Sequence, residues 1–273
     1  MALIAVLGMA LGVASRQFRR PYWTLGYGLS LSLIAILLLG RSATLHFTPP
    51  VSWLVATRVR FILVALATTL GLTTPLSRLP RRWEKVSVRL LMAGVLIRFS
   101  LMPFLMPALL EGKLARLQTT IDDSGVCRQT TKFTCGPAAA VTALLRLGLP
   151  ASEGQLAVLA HASPTVGTLP ACLSKALREL YGAEGLRCHC RTFDSIAQLG
   201  RSGITLAIVR TALLRDHCVT ILGVSDNAVI VADPVTGIAA MPREEFRAIW
   251  RFSGIVLSRD RTFSQPAGSA QNI

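Results

Sequence analysis

Four residues in this 273-residue chain could together perform acyl-transfer chemistry. Cys135 is followed at once by Gly136, Pro137 and an Ala/Leu-rich run, and Gln129 stands six residues before it. The run reads as a helix with Cys135 in its first turn. Thr134 is the expected N-cap, and Pro137 is tolerated there because its missing N–H would find no helical partner. The positive end of the helix macrodipole favours a thiolate, the nucleophilic form of cysteine. A nucleophilic cysteine needs a base, and the base needs a group to orient it. His217 opens the apolar run HCVTILGV, and Asp233 follows sixteen residues later, after an Asp226-Asn227 turn signal. Two antiparallel strands joined by that turn bring the start of one beside the end of the other. Asp233 would then accept the imidazole Nδ1–H, and the Gln129 amide and Cys135 N–H would face a developing oxyanion.

Other candidates are weaker. Asp216 rivals Asp233 as orienter, but neighbouring strand residues face opposite ways. By the same alternation Cys218 belongs to the core rather than beside His217. Cys188-His189-Cys190 resembles a metal motif, yet its spacing is not that of zinc knuckles and His189 points away from the two thiols. No metal or cofactor is assigned. His46 falls in a loop of the first half and His161 at a helix end. All six cysteines follow residue 126. Disulfides among the non-catalytic thiols depend on the compartment, and no pairing can be deduced.

The elements that position these residues alternate in period. Helices are expected over 135–147, 152–161, 168–181, 194–199 and 243–250. Runs rich in Val, Ile and Leu at 186–192, 204–210, 217–223, 227–232 and 254–258 read as strands. Ser152 and Gln155 form a capping-box pair. Helices first and an antiparallel sheet after them make an α+β domain over 124–260, with a linker at 111–123 and a flexible tail at 261–273.

The first 110 residues differ in kind. The chain is 52% hydrophobic, which points to membrane segments. Apolar runs lie at 2–14, 24–40, 53–76 and 90–110, against a need of about 20 residues per transmembrane helix. An all-α transmembrane region of about four spans is expected, with Pro103 and Pro107 kinking the last. Arg98, in mid-run, is a functional candidate, but the favoured reading is that it lines the bundle interior, pairs with a carbonyl or marks a shorter span starting at Phe99. Residues 1–119 hold 14 Lys/Arg against Glu84 and Glu111, a net of +12, whereas 120–273 carry +3. The basic balance therefore marks membrane loops, not nucleic-acid binding. Arg16, Arg19 and Arg20, then Arg78, Arg81, Arg82, Lys85 and Arg89, cluster in alternate loops. With four spans this arrangement directs the Cys135 domain to the periplasmic, extracytoplasmic side of a bacterial inner membrane.

The segments CRQTTKFTCGPAAAVTALLRLG and HCVTILGVSDNAVIVADPVTGIAAMPREEFRAIW resemble the bacteriocin-processing cysteine peptidases, the double-glycine leader peptidase domains of papain-like fold. The resemblance runs from about residue 124 to 258. It implies Cys135 as nucleophile, His217 as general base then acid, Asp233 as its orienter and Gln129 in the oxyanion hole. It also implies a peptide or precursor-protein substrate. Exporter-type members carry this domain ahead of a transmembrane region and an ATPase. Here the apolar half comes first, and the absence of a phosphate-binding Gly-Lys-Ser/Thr loop means no nucleotide hydrolysis is expected. The expected partners are substrate, lipid bilayer and a secretion or export system. A non-cleaving peptide-binding or assembly module is the alternative. A thiol-redox role ranks last, for want of a Cys-x-x-Cys pair.

Overall fold

The computed structural model describes residues 2–15, 24–39, 59–76, 78–212 and 215–260. His46, Trp23, Trp53, the arginines at 16, 19, 20, 41 and 58, and the 261–273 tail lie outside the described residues. Two compact units emerge, Met1–Leu109 and Leu110–Ile273.

The first unit is helical: α1 Ala2–Ser15, α2 Leu25–Leu39, α3 Val59–Thr73 and α4 Arg82–Leu96. A π-helical turn, Ile97–Leu101, leads from α4 into α5, Met102–Leu114. Helices thus coincide with all four apolar runs, but among the described residues none is long and apolar enough to cross a membrane. The expectation of about four full spans is corrected to that extent. The third run is described only from Val59, and the fourth is interrupted by the π turn. That turn has a local cause: Pro103 cannot donate to the Phe99 carbonyl and its ring crowds it, so the ladder widens just ahead. Arg98 lies on this turn, exposed, with its guanidinium over the Phe99 ring, which goes against one of its expected placements, the bundle interior.

The helices α1, α2 and α3 meet through small residues. A Cβ on Gly8 would collide with Thr69 Oγ1, and one on Gly12 would come within 2.8 Å of Thr73 Cβ. Ser30 Oγ donates to the Ala67 carbonyl at 2.7 Å. Meanwhile Leu7, Leu25, Leu29, Leu31 and Leu38 point outward, exposed. Small and hydroxyl side chains are buried alongside Phe61 and Leu70, while many large aliphatic ones face outward, unlike a helix bundle in water.

The second unit begins with a two-stranded ladder, β1 Thr120–Ile121 with β2 Cys127–Arg128. Three helices follow: α6 Cys135–Arg146, α7 Glu153–Leu159 and α8 Pro170–Tyr181. The rest is β3 Leu186–Thr192, α9 Ile196–Gly200, β4 Ile204–Ala212, β5 Arg215–Val224, β6 Ala228–Asp233, β7 Gly237–Pro242, α10 Arg243–Ile249 and β8 Trp250–Arg259. Six of these strands form one antiparallel sheet in the order β3-β8-β4-β5-β6-β7. The α+β architecture is as expected, and so is the turn between β5 and β6. The strand at β7 is new. Its sequence GIAAMP has little β-propensity, and pairing with β6 imposes the conformation. The α5 helix also runs to Leu114, into the stretch read as a linker.

Side chains alternate across the sheet. Leu206, Cys218, Ile255 and Leu257 pack beneath α6 and α8. Val219, Ile221, Val231 and Val256 pack on the other face with Phe246 and Trp250. Nine consecutive residues of α6, Gly136 to Leu144, are buried. Its alanines let the helix axis lie close to β5. There Thr220 Oγ1 donates to the Ala139 carbonyl at 2.7 Å. This bond ties the helix that begins at Cys135 to the strand that carries His217. Thr220→Val should cost about 1 kcal/mol of stability, the net worth of one such bond. A lowered urea midpoint and a slower reaction of Cys135 with iodoacetamide would register it; unchanged values on both would refute the tie.

Candidate active site

Cys135 is the first residue of α6, half-buried. As the first helical residue, its N–H has no intrahelical acceptor. Thr134 precedes it as N-cap, but its side chain does not cap the helix. The hydroxyl instead donates to the Thr131 carbonyl at 3.1 Å and accepts from the Thr131 N–H at 3.1 Å. The expected cap is thus a lock on the turn that delivers Cys135. Thr134 has φ −102° and ψ 18° rather than the extended geometry of a capping threonine.

His217 lies near the start of β5, with a side chain 12% exposed. Its Nε2 is 2.8 Å from Asp233 Oδ1, and its ring lies near enough to the Cys135 thiol for that group to raise its pKa. The predicted trio is therefore brought together. The ring is turned the other way round from expectation: Asp233 holds Nε2, leaving Nδ1 as the nitrogen available to sulfur. The register gives the reason. Thr220 pairs with Ala232, so His217 and Asp233 are diagonal neighbours, about 7–8 Å apart at Cα. Only the ring nitrogen farther from the backbone spans that gap.

Asp233 ends β6 and begins a five-residue loop closed by its pairing with Gly237. Its Oδ1 also accepts the Val235 N–H at 2.7 Å. Gly237 has φ +95°, a region that disfavours side chains, and a Cβ there would press on the Arg128 guanidinium at 3.1 Å. The rival Asp216 is gripped by Arg251, whose Nε and Nη2 reach its Oδ1 at 3.0 and 2.8 Å.

The electrostatics follow from these contacts. Burial alone would lower the His217 pKa. Hydrogen bonds to Asp233 and Cys135, and the charges of both, outweigh it and raise the value to about 9. Burial would raise the Asp233 pKa, but the His217 bond and the Val235 N–H outweigh that and hold it below the ordinary carboxylate value. An imidazolium beside a carboxylate is the resulting state near neutrality.

Gln129 is half-buried and follows β2 directly. Its backbone N–H donates to the Pro234 carbonyl at 3.1 Å, fastening it to the Asp233 loop. Sequence reasoning missed this cross-tie, since no residue pattern announces a backbone-to-backbone contact across a hundred positions. It also missed Thr220 and Glu153, which read as an ordinary strand threonine and a first-turn helix acid. Ser152 does cap that helix, its Oγ accepting the Gln155 N–H at 3.4 Å.

The remaining sequence candidates lie elsewhere. His161 is exposed at the end of α7 with φ 53°, and His189 is exposed on β3. Cys188 is buried and donates to the Ser174 carbonyl at 3.1 Å. None of the six cysteines is joined in a disulfide. Burial pushes the Cys127 thiol up to about 12, with Glu153 and Asp122 adding to it, and pushes Cys218 up as well, with Cys135 and Asp233 adding to it. Neither is suited to nucleophilic work. Among the described residues no three His, Cys, Asp or Glu side chains gather as a metal site.

A thiol and an imidazole steered by a carboxylate, carried on a helix and an antiparallel sheet, are the parts of a cysteine hydrolase. The family model described as "Peptidase C39 family" matches residues 123–264, just over half of the chain, and the chain belongs to that family. It is a cysteine peptidase with the papain-like order of helices and antiparallel sheet. An uncharacterized protein of Methanothermobacter marburgensis is 30% identical over 144 residues, 53% of this chain and 95% of that protein. A second, from Methanothermobacter thermautotrophicus, is 29% identical over 149 residues, covering 53% and 94%. Among solved structures, the peptidase domain of Streptococcus ComA, a bi-functional ABC transporter, aligns at 21% identity and TM-score 0.43 over 49% of this chain and 96% of that one. A double glycine motif protease from an AMS/PCAT transporter, solved with the leader peptide, aligns at 19% identity and TM-score 0.43 over 53% and 96%.

The pH dependence of stability follows from the shifts. The raised His217 contributes stability that is complete below its ordinary value of 6.5 and is lost as pH rises through about 9. The depressed Asp233 contributes above 3.8 and loses that contribution as pH falls. The difference in melting temperature between the native chain and His217→Ala should therefore be largest between these limits and shrink through pH 9. A difference that persists unchanged above that point would contradict the raised imidazole.

Proposed function

We propose that the chain is a membrane-anchored cysteine endopeptidase that processes a peptide or precursor protein in the manner of leader-peptide cleavage. The observation that carries this reading is the His217 ring, held by the Asp233 carboxylate at 2.8 Å and lying beside the thiol of Cys135. In the proposed reaction Cys135 Sγ attacks the scissile carbonyl carbon, and the carbonyl π electrons move to oxygen. The Cys135 N–H and the Gln129 amide stabilise that oxyanion. The imidazolium of His217 gives its proton to the departing amine, and a thioester remains. His217, now neutral, takes a proton from water, which attacks the thioester and frees Cys135. Asp233 holds the ring through Nε2 and stabilises its charged form.

The anchor is inferred from the first unit. Its helices bury glycine, serine and threonine and turn many of their leucines and isoleucines outward, a pattern suited to lipid and to close helix packing within it. Trp83, 82% exposed beside the basic residues Arg81, Arg82 and Lys85, suits a membrane interface. We assign the peptidase unit to the extracytoplasmic side, with a secretion or export system as its setting.

Two measurements test these readings. Cys135→Ala in the full chain should abolish cleavage of a Gly-Gly-containing precursor peptide and abolish labelling by a peptide vinyl sulfone, while His217→Ala and Asp233→Ala should each slow cleavage by about a hundredfold or more. Equal labelling of Cys135→Ala would defeat the peptidase assignment to this site. Fusion of alkaline phosphatase after Asn272 should be active, and a fluorescent protein that matures only in the cytoplasm should stay dark there; the opposite result would reverse the orientation.

A further inference from the structure

Glu153 is a carboxylic acid with no exposed surface at all, and the reaction above does not use it. Burying such a group is costly unless its oxygens find donors. Both do, and both donors belong to one residue. The Thr130 N–H donates to Oε1 at 2.9 Å, and the Thr130 hydroxyl donates to Oε2 at 2.7 Å. Thr130 is the residue after Gln129. The Glu153 backbone is itself held, its N–H donating to Thr119 Oγ1 at 2.9 Å.

Gln129 needs such support. Its side-chain Oε1 is buried with no hydrogen-bond partner, so the protein does not aim the amide through its own oxygen. The aim must come from the backbone. On one side the Gln129 N–H is fastened to Pro234. On the other, the next residue, Thr130, is clamped at two points by Glu153, through its N–H and its hydroxyl. A carboxylate gripping both polar groups of one residue fixes that residue's rotation as well as its position. We propose that Glu153 is a positioning residue for the oxyanion-stabilising amide of Gln129. This rests on the role given to Gln129 above. Aspartate would fall one methylene short, and alanine would leave the Thr130 N–H without its acceptor.

The test separates oxyanion stabilisation from thiol reactivity. A peptide aldehyde ending in Gly-Gly adds Cys135 Sγ to its carbonyl carbon and places the resulting oxygen where the oxyanion sits. Iodoacetamide alkylation of Cys135, followed by mass spectrometry of the labelled peptide, needs no such oxygen. In the full chain Glu153→Ala should weaken aldehyde binding by about tenfold or more, with the alkylation rate of Cys135 unchanged. Glu153→Gln should be rescued to within about threefold, because its amide oxygen can take the Thr130 N–H while the Thr130 hydroxyl turns to accept from its NH2 and donates to the Gln118 carbonyl, already 3.3 Å away. Combined with Gln129→Ala, Glu153→Ala should add nothing further. Equal losses in aldehyde binding and alkylation, or additive losses in the double variant, would overturn the proposal. Gln129→Ala that leaves aldehyde binding unchanged would instead overturn the role of Gln129 itself, and this proposal with it. Should Glu153→Ala not fold, Thr130→Val carries the same comparison: a roughly threefold weaker aldehyde with normal alkylation supports the clamp, and no change refutes it.

Discussion

An imidazole held between a carboxylate and a thiol is the constraint to which the peptidase unit is built. The His217 ring is almost withdrawn from water, and withdrawal by itself disfavours its charged form. The hydrogen bonds to Asp233 and Cys135 reverse that preference. The reversal holds only while all three groups stay in contact, and they arrive from a helix start, a strand start and a strand end. Most of the other features of this unit can be read as means of keeping those three ends together.

The ties that do so are few and specific. Thr220 bonds the second turn of the Cys135 helix to the His217 strand. The Gln129 N–H bonds to Pro234 in the Asp233 loop. Thr142 Oγ1 accepts the Cys127 N–H at 2.9 Å, joining β2, just ahead of Gln129, to the same helix. Each tie links one candidate residue's element to another's, through groups that carry no chemistry of their own. The alanine-rich face of α6 makes this feasible, since bulkier side chains would lift the helix away from the sheet and lengthen every one of these contacts.

The helical unit obeys a different rule. In water, large aliphatic side chains go inside and threonines stay at the surface. Here Thr69 and Thr74 are buried with their hydroxyls bonded to the carbonyls of Ala65 and Leu70 in the preceding turn, while Leu7, Leu25, Leu29, Leu31 and Leu38 face out. Satisfying a hydroxyl within its own helix lets it sit at a tight helix contact without needing water. The pattern matches the apolar composition of the first half. At the π turn Ile97–Leu101, with its exposed Arg98, helix geometry and apolar character are broken together.

The peptidase unit was legible in the sequence to the extent that its signals are local. A cysteine opening an alanine-rich helix, strands of period two and the Asp226-Asn227 turn were enough to name Cys135, His217 and Asp233 and to choose an α+β fold, because hydrophobic period and turn chemistry act over a few neighbouring residues. Asp233 was preferred to Asp216 by side-chain alternation, which is also local. Tertiary structure alone decided which ring nitrogen meets the carboxylate, because that depends on the β5–β6 register. It alone made a strand of GIAAMP, turned the Thr134 hydroxyl back to Thr131, and set the buried Glu153 against Thr130. These outcomes depend on distances between segments remote along the chain, and such distances are fixed by packing rather than by any residue's own preference.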